Sequence, residues 1–285
     1  MSSLKPLNIA SYASLSRQLG ISIFDLKNVS ENISSHAPIK PMTIKGKKRK
    51  IIIPSEKLKS IQGKILDLLD AVQIHNAAKG GTPGNSSKSN ALVHAGKTYT
   101  LKLDIKDFFP NIHSSTIYAA FQNLGCSSEV ASLLTKLTTI NYHLPLGFRT
   151  STLLANIICV KLDTNLDAYT QPKNINYTRF VDDFTFSGPF ISQKTVDKIK
   201  EIISSHGFIL NDSKEFFSSG NKAPVVTGLN TQRKQVKVPR IFKQNLRAAR
   251  HKLTEMAAQE KIVKKQKKSI AGKENYIKQA EGLIS

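Results

Sequence analysis

Arg179-Phe180-Val181-Asp182-Asp183-Phe184-Thr185-Phe186-Ser187 is the stretch that decides the fold. Apolar and aromatic residues flank a polar pair, and Phe184 and Phe186 fall at period two. The segment therefore reads as two short strands joined at Asp182-Asp183. Neighbouring residues on an extended backbone point to opposite sides, which makes Asp182 the better placed ligand and Asp183 a secondary one. A second stretch, Leu103-Asp104-Ile105-Lys106-Asp107-Phe108-Phe109, again runs from an apolar strand into acid. Carboxylates packed together repel, and without a cation that packing is costly. Hard oxygen donors suit Mg²⁺. Two such ions about 4 Å apart would activate an attacking hydroxyl and stabilise a leaving oxygen. An Asp-Asp pair alone is as easily a solvated hairpin turn. Two matched motifs in this order weigh against that plainer alternative.

Working outward, the 285-residue chain carries a net charge of +22 with a pI near 9.9. A field that strong calls for polyanionic partners, bound through phosphate contacts that weaken with salt. Half of it lies in residues 231–285, where 15 Lys and Arg stand against 4 Glu. At 40% hydrophobic residues the chain can bury a core. It has no apolar run of membrane-spanning length and no secretory leader at its start, which points to a cytoplasmic setting without membrane. Cys126 and Cys159 are the only cysteines and show neither disulfide nor zinc spacing.

Apolar spacing predicts two short helices in 7–34 and a basic hairpin with its turn at 45–48 and its return strand at Arg49–Ile53. A helix capped by Ser55 and a mobile Gly/Ser/Asn loop at 79–89 follow. Further on come a short helix at 90–94, a strand from Tyr99 to Ile105, two helices in 114–139 and one long helix from Thr150 to Tyr169. Strands at 175–181 and 184–187, a helix at 195–205, paired strands at 225–229 and 236–238 and basic helices from about 240 complete the order. That order favours α+β over a regular βαβ alternation.

Several of these segments together resemble bacterial retron reverse transcriptases. Leu103 to Phe109 is similar to polymerase motif A, and Phe180 to Asp183 to motif C. Leu144-Pro145-Leu146-Gly147-Phe148-Arg149-Thr150-Ser151-Thr152-Leu153-Leu154-Ala155-Asn156 is similar to motif B, and Gly207 to Lys214 to motif D. Asn90-Ala91-Leu92-Val93-His94 fits the retron signature NAxxH, and Val226-Thr227-Gly228 fits VTG. Motif B departs from the family form at Leu146, Phe148, Arg149 and Thr152, while Gly147 and Asn156 are kept.

The resemblance implies a right-hand polymerase fold. Residues 1–37 would be an N-terminal helical extension, 38–238 the fingers and palm, and 239–285 a basic thumb. It implies RNA-directed DNA synthesis from deoxynucleoside triphosphates with two Mg²⁺. Asp104, Asp182 and Asp183 would be catalytic, and would form the metal site together with Ile105. Lys47, Arg49, Gly147 and Lys214 would serve the incoming nucleotide, and Phe109 would exclude a 2′-hydroxyl. Asn90, His94, Val226, Thr227 and Gly228, with the stripe Arg240, Lys243, Arg247 and Arg250, would contact nucleic acid. For Asn90 and His94, four apart on one helical face, a buried hydrogen-bonded pair fits the spacing equally. The implied partners are a structured noncoding RNA that serves as both template and primer, its branched DNA product (msDNA) and a separate effector protein in anti-phage defence. The alternatives are another bacterial reverse transcriptase, of intron or diversity-generating type, or a scaffold that binds RNA–DNA without catalysis.

Overall fold

A computed structural model of the chain describes residues 6–44, 47–255 and 260–282. Its strands are β1 (Ile39–Ile44), β2 (Lys47–Ile52), β3 (Tyr99–Asp104), β4 (Asn176–Phe180), β5 (Asp183–Gly188), β6 (Phe216–Ser218), β7 (Val225–Val226) and β8 (Leu229–Asn230). Helices fill most of the remainder, so the class is α+β. The chain divides into two compact units, each assembled from separate stretches of sequence.

The first unit comprises 1–82, 105–167 and 200–210. Four of its described helices start where serines cap them. The side chains of Ser11, Ser22, Ser55 and Ser127 accept from the backbone N–H of Ser14, Asp25, Leu58 and Val130, satisfying donors the helix cannot. Leu15, Leu26, Val29, Leu58, Ile65, Phe121, Val130 and Leu134 are fully buried on the facing sides of these helices. Fully buried Gln62 ties them further, donating to the Leu137 carbonyl (3.2 Å) and accepting from the Arg149 backbone (3.3 Å). The basic hairpin pairs β1 with β2 from Ile39↔Ile52 to Ile44↔Lys47. Residues 45–46 of its turn, and the side chains of Lys47 and Arg49, lie outside the described residues.

The expectation for 150–169 needs correction. The long helix of 150–169 is two helices, Ser151–Ile158 and Val160–Thr170, because ψ opens to −2° at Cys159. The first residues of the Gly-rich loop touch the helix Ser151–Ile158. The Gly80 carbonyl accepts from buried Asn156 (3.0 Å), and Gly81, at φ +68°, faces Thr152 with no room for a Cβ.

The second unit comprises 83–104, 168–199 and 211–285. Its centre is an antiparallel sheet in the order β4-β5-β3-β6. Leu101 and Leu103 of β3 stand opposite Phe186 and Phe184 of β5 and make one face apolar; Tyr177 of β4 stacks on both phenylalanines. The other face carries small or polar residues: Thr100 opposite Ser187, Lys102 opposite Thr185, and Asp104 opposite Asp183. The edge strand β6 has no counterpart in the sequence reading. A second correction concerns 225–238. The strand pair there is the tight hairpin β7–β8 around Thr227-Gly228, and 236–238 contributes only a single bridge, Asn230↔Lys237. A hydrophobic cluster joins Ala91, Val226, Leu229, Val236, Val238 and Ala280, packed by Phe242 and Tyr276. It fastens the helices Arg240–Glu255 and Glu260–Glu281 to this unit.

Candidate active site

Three carboxylates meet at one end of the polar face of the sheet. Asp104 is the last residue of β3, and Asp183, the first of β5, is its direct partner in the ladder. Directly opposed residues of an antiparallel pair point to the same side, so their side chains are neighbours. Asp182 sits in the turn before β5, outside the strand alternation. The hairpin turn is Val181-Asp182, one residue earlier than the expected Asp182-Asp183. Asp182 and Asp183 therefore share a side. One oxygen from each of Asp104, Asp182 and Asp183 lies within 4.8 Å of the others.

The turn is strained. Val181 has φ +63°, a region that β-branched residues avoid. Its carbonyl accepts from Nη1 of Arg179 (3.0 Å), whose side chain is fully buried. Arg179 escaped the sequence reading. The available signal was a charged residue sharing the apolar period of Tyr177 on β4.

The electrostatics favour a cation. Burial first, then the charge of Asp182, pushes the Asp183 carboxyl up to about 6. Lys214 bridges both oxygens of Asp104 at 2.6 and 2.7 Å, and this hydrogen bond raises its own pKa. Asn211 adds its backbone N–H to the Asp104 carbonyl (2.8 Å) and its amide to Oδ1 (3.3 Å). Lys102 and Lys214 both oppose the rise at Asp183 without cancelling it. An all-oxygen donor set of this kind fits hard divalent cations.

The other candidate residues fall into three groups. In the first unit, Ile105 is buried and bridges to Leu210. Phe108 is buried against Phe208, whereas Phe109 is half-buried. Gly147 has φ +119°, and a Cβ there would lie 2.2 Å from the Ile52 carbonyl oxygen.

The retron-like signatures form the second group, and they meet each other. Asn90 donates to Thr227 Oγ1 (3.5 Å), which in turn donates to the Ser87 carbonyl (2.7 Å). Thr227 takes φ +44° and Gly228 φ +86° at the tip of the β7–β8 hairpin. His94 is 0% exposed, with Nδ1 on Ser187 Oγ and Nε2 on Thr178 Oγ1, both at 2.7 Å. Desolvation holds its pKa down at about 3, so the ring is neutral. Asn90 and Val226 are buried as well, at 1% and 0% exposed, and Asn90 and His94 bond to separate partners and not to each other.

In the third group, the basic stripe on Arg240–Glu255 is partly neutralised. Lys243 pairs with Glu281 (2.7 Å) and Arg250 with Glu274, whereas Arg240 and Arg247 have no ion pair among the described residues.

A family model described as reverse transcriptase (RNA-dependent DNA polymerase) matches residues 26–267. The chain is 33% identical over 206 residues to the Retron Ec86 reverse transcriptase of Escherichia coli, covering 71% of this chain and 64% of that protein. It is 34% identical over 223 residues to the Retron Ec73 reverse transcriptase of Escherichia coli, covering 70% and 71%. It thus spans less than two thirds of the length of the first of these relatives. Among solved structures, telomerase from Candida albicans superposes with a TM-score of 0.51 at 11% identity, covering 76% of this chain and 50% of that one. At that identity the likeness speaks for the fold alone, a right-hand polymerase mixing helices and strands.

Proposed function

The chain belongs to the reverse transcriptase family, among the retron enzymes, and from that premise we propose that it copies a structured noncoding RNA into single-stranded DNA from deoxynucleoside triphosphates. The observation that carries this reading is the convergence of Asp104, Asp182 and Asp183 within 4.8 Å. These three would hold divalent cations, Mg²⁺ in our reading. Bound there, the cations would neutralise the carboxylates and stabilise charge developing on phosphoryl oxygens.

The chain's own residues contribute the rest. The β3–β5 register and the Val181 turn fix the three carboxylates, so little reorganisation is needed when charge develops. Lys214 holds a proton on Nζ beside Asp104 and is the candidate donor to the leaving pyrophosphate. Lys47 and Arg49 on β2 would take the triphosphate through charge-assisted hydrogen bonds. Gly147 would allow close approach to the nucleotide, and Phe109 would exclude the 2′-hydroxyl of a ribonucleotide. The stripe Arg240, Lys243, Arg247 and Arg250 would meet the template–primer backbone, with Arg240 and Arg247 free of ion pairs among the described residues; Thr227 and Gly228, at the tip of the β7–β8 hairpin, would contact nucleic acid. By analogy with its relatives, synthesis would start from an internal guanosine 2′-hydroxyl and leave a branched RNA–DNA product. The same analogy suggests a cytoplasmic protein paired with a separate effector in anti-phage defence.

Primer extension on an RNA template with Mg²⁺ tests the reading. Wild-type protein extends the primer, and the double substitution Asp182→Asn/Asp183→Asn abolishes extension. Equal silence of both proteins on the cognate RNA would replace the polymerase with a binding scaffold. Sequencing the nucleic acid that copurifies from cells tests the retron assignment, because a short DNA joined to RNA is expected.

A further inference from the structure

A cleft of about 490 Å³ lies wholly within the first unit, among the helices Ser114–Asn123 and Ser128–Thr138 and the turn at Asn141-Tyr142. Its lining is rich in hydroxyls and contains no acid. The side chains of Ser114, Ser115 and Ser132 make no hydrogen bond among the described residues, and Lys136 has no ion-pair partner there. These groups can therefore bind something else without breaking an existing contact.

The lip of the cleft is unusual. Ile140 and His143 exchange two backbone hydrogen bonds, both at 3.0 Å, around Asn141 and Tyr142. Both central residues take positive φ, +50° and +64°, the sign pattern of a type I′ turn. Asparagine tolerates this conformation, but it costs a bulky aromatic residue backbone strain. Packing does not repay that cost, because Tyr142 is 80% exposed. The result is a flat, solvent-facing ring held at the rim of an acid-free, donor-lined cleft.

The complementary ligand carries a π-face and anionic oxygens. In a chain of net charge +22, a polynucleotide meets that description. We propose that the cleft binds an unpaired nucleotide of single-stranded RNA, its base stacked on Tyr142 and its phosphate directed to Lys136 and the free serine hydroxyls. Stacking on an aromatic side chain is tolerant of sequence and needs an unpaired base, so duplex is excluded from the site. The cleft shares no residue with the carboxylate cluster, and the inference does not depend on polymerase activity.

The chain contains no tryptophan, so Tyr142→Trp makes the turn the sole indole reporter. The full-length variant is titrated with an unstructured RNA of about ten nucleotides, without nucleotide triphosphates or divalent cations. Stacking predicts saturable quenching of the indole. The same RNA made abasic should bind, by anisotropy of a labelled end, yet leave the indole unquenched. Adding Lys136→Glu should move the quenching midpoint several-fold to higher RNA. Two outcomes overturn the proposal: RNA that binds without quenching, or abasic RNA that quenches equally. Because the assay involves no synthesis, its failure leaves the polymerase reading untouched.

Discussion

Asp183 stores the tension of the acid cluster in a single side chain. Burial and the Asp182 charge lift its carboxyl to about 6, so near neutral pH the ionised form is held against resistance. With divalent cations chelated, Asp183→Asn is expected to raise the melting temperature by a few degrees while abolishing primer extension, as scanning fluorimetry and an extension assay would show. His94 provides the opposite case. Its folded-state pKa of about 3 lies below the ordinary value of 6.5. Protonation therefore favours the unfolded chain, and stability present above the ordinary value is lost as pH falls from there towards the folded one. Urea midpoints at about pH 7.5 and about pH 5 should differ more for wild type than for His94→Gln. The meeting of the two acid stretches is readable from sequence, because each ends an apolar strand. The burial of Asn90 and His94 is not, since positions four apart on a helix share a face whether it turns to solvent or to a sheet. Arg179 was hidden for a related reason: a period-two pattern marks a face without saying that a buried cation can occupy it.

Among the elements, the loop after Pro145 is constrained at its glycine. Gly147 combines φ +119° with a 2.2 Å approach to the end of β2, so Gly147→Ala adds backbone strain to a direct clash. A loss of about 1–3 kcal/mol is expected, with a raised KM for deoxynucleotides. Denaturant melts and steady-state kinetics check the two effects. The elements that sequence conveyed well had local punctuation: Ser55 opens the helix at 56 and Pro54 follows the end of β2. Those it missed depend on distant partners. Phe216–Ser218 is a strand because the edge of β3 receives it, and 236–238 fails to be one because β8 ends at Asn230. No local pattern marks the break at Cys159 within an otherwise helical run.

For the molecule as a whole, a charge of +22 means that RNA–DNA binding should fall steeply with salt. The helix cations will not contribute equally to that fall. Arg247 has no ion pair among the described residues, so Arg247→Ala should reduce the slope of log affinity against log salt by about 1. Lys243 already holds Glu281, so Lys243→Ala should leave the slope nearly unchanged and lower the melting temperature instead. Filter binding across a salt series, with parallel melts, separates the two. The sheet at the centre of the second unit has a further consequence. Asp104 faces Asp183 only because β3 and β5 pair in one register. A slip by a single residue would leave the hydrogen-bonded ladder in place while turning the Asp104 carboxylate to the opposite face. Alignment of two strands and assembly of the acid cluster are therefore one event in folding, and a chain that pairs them out of step would be folded and inert.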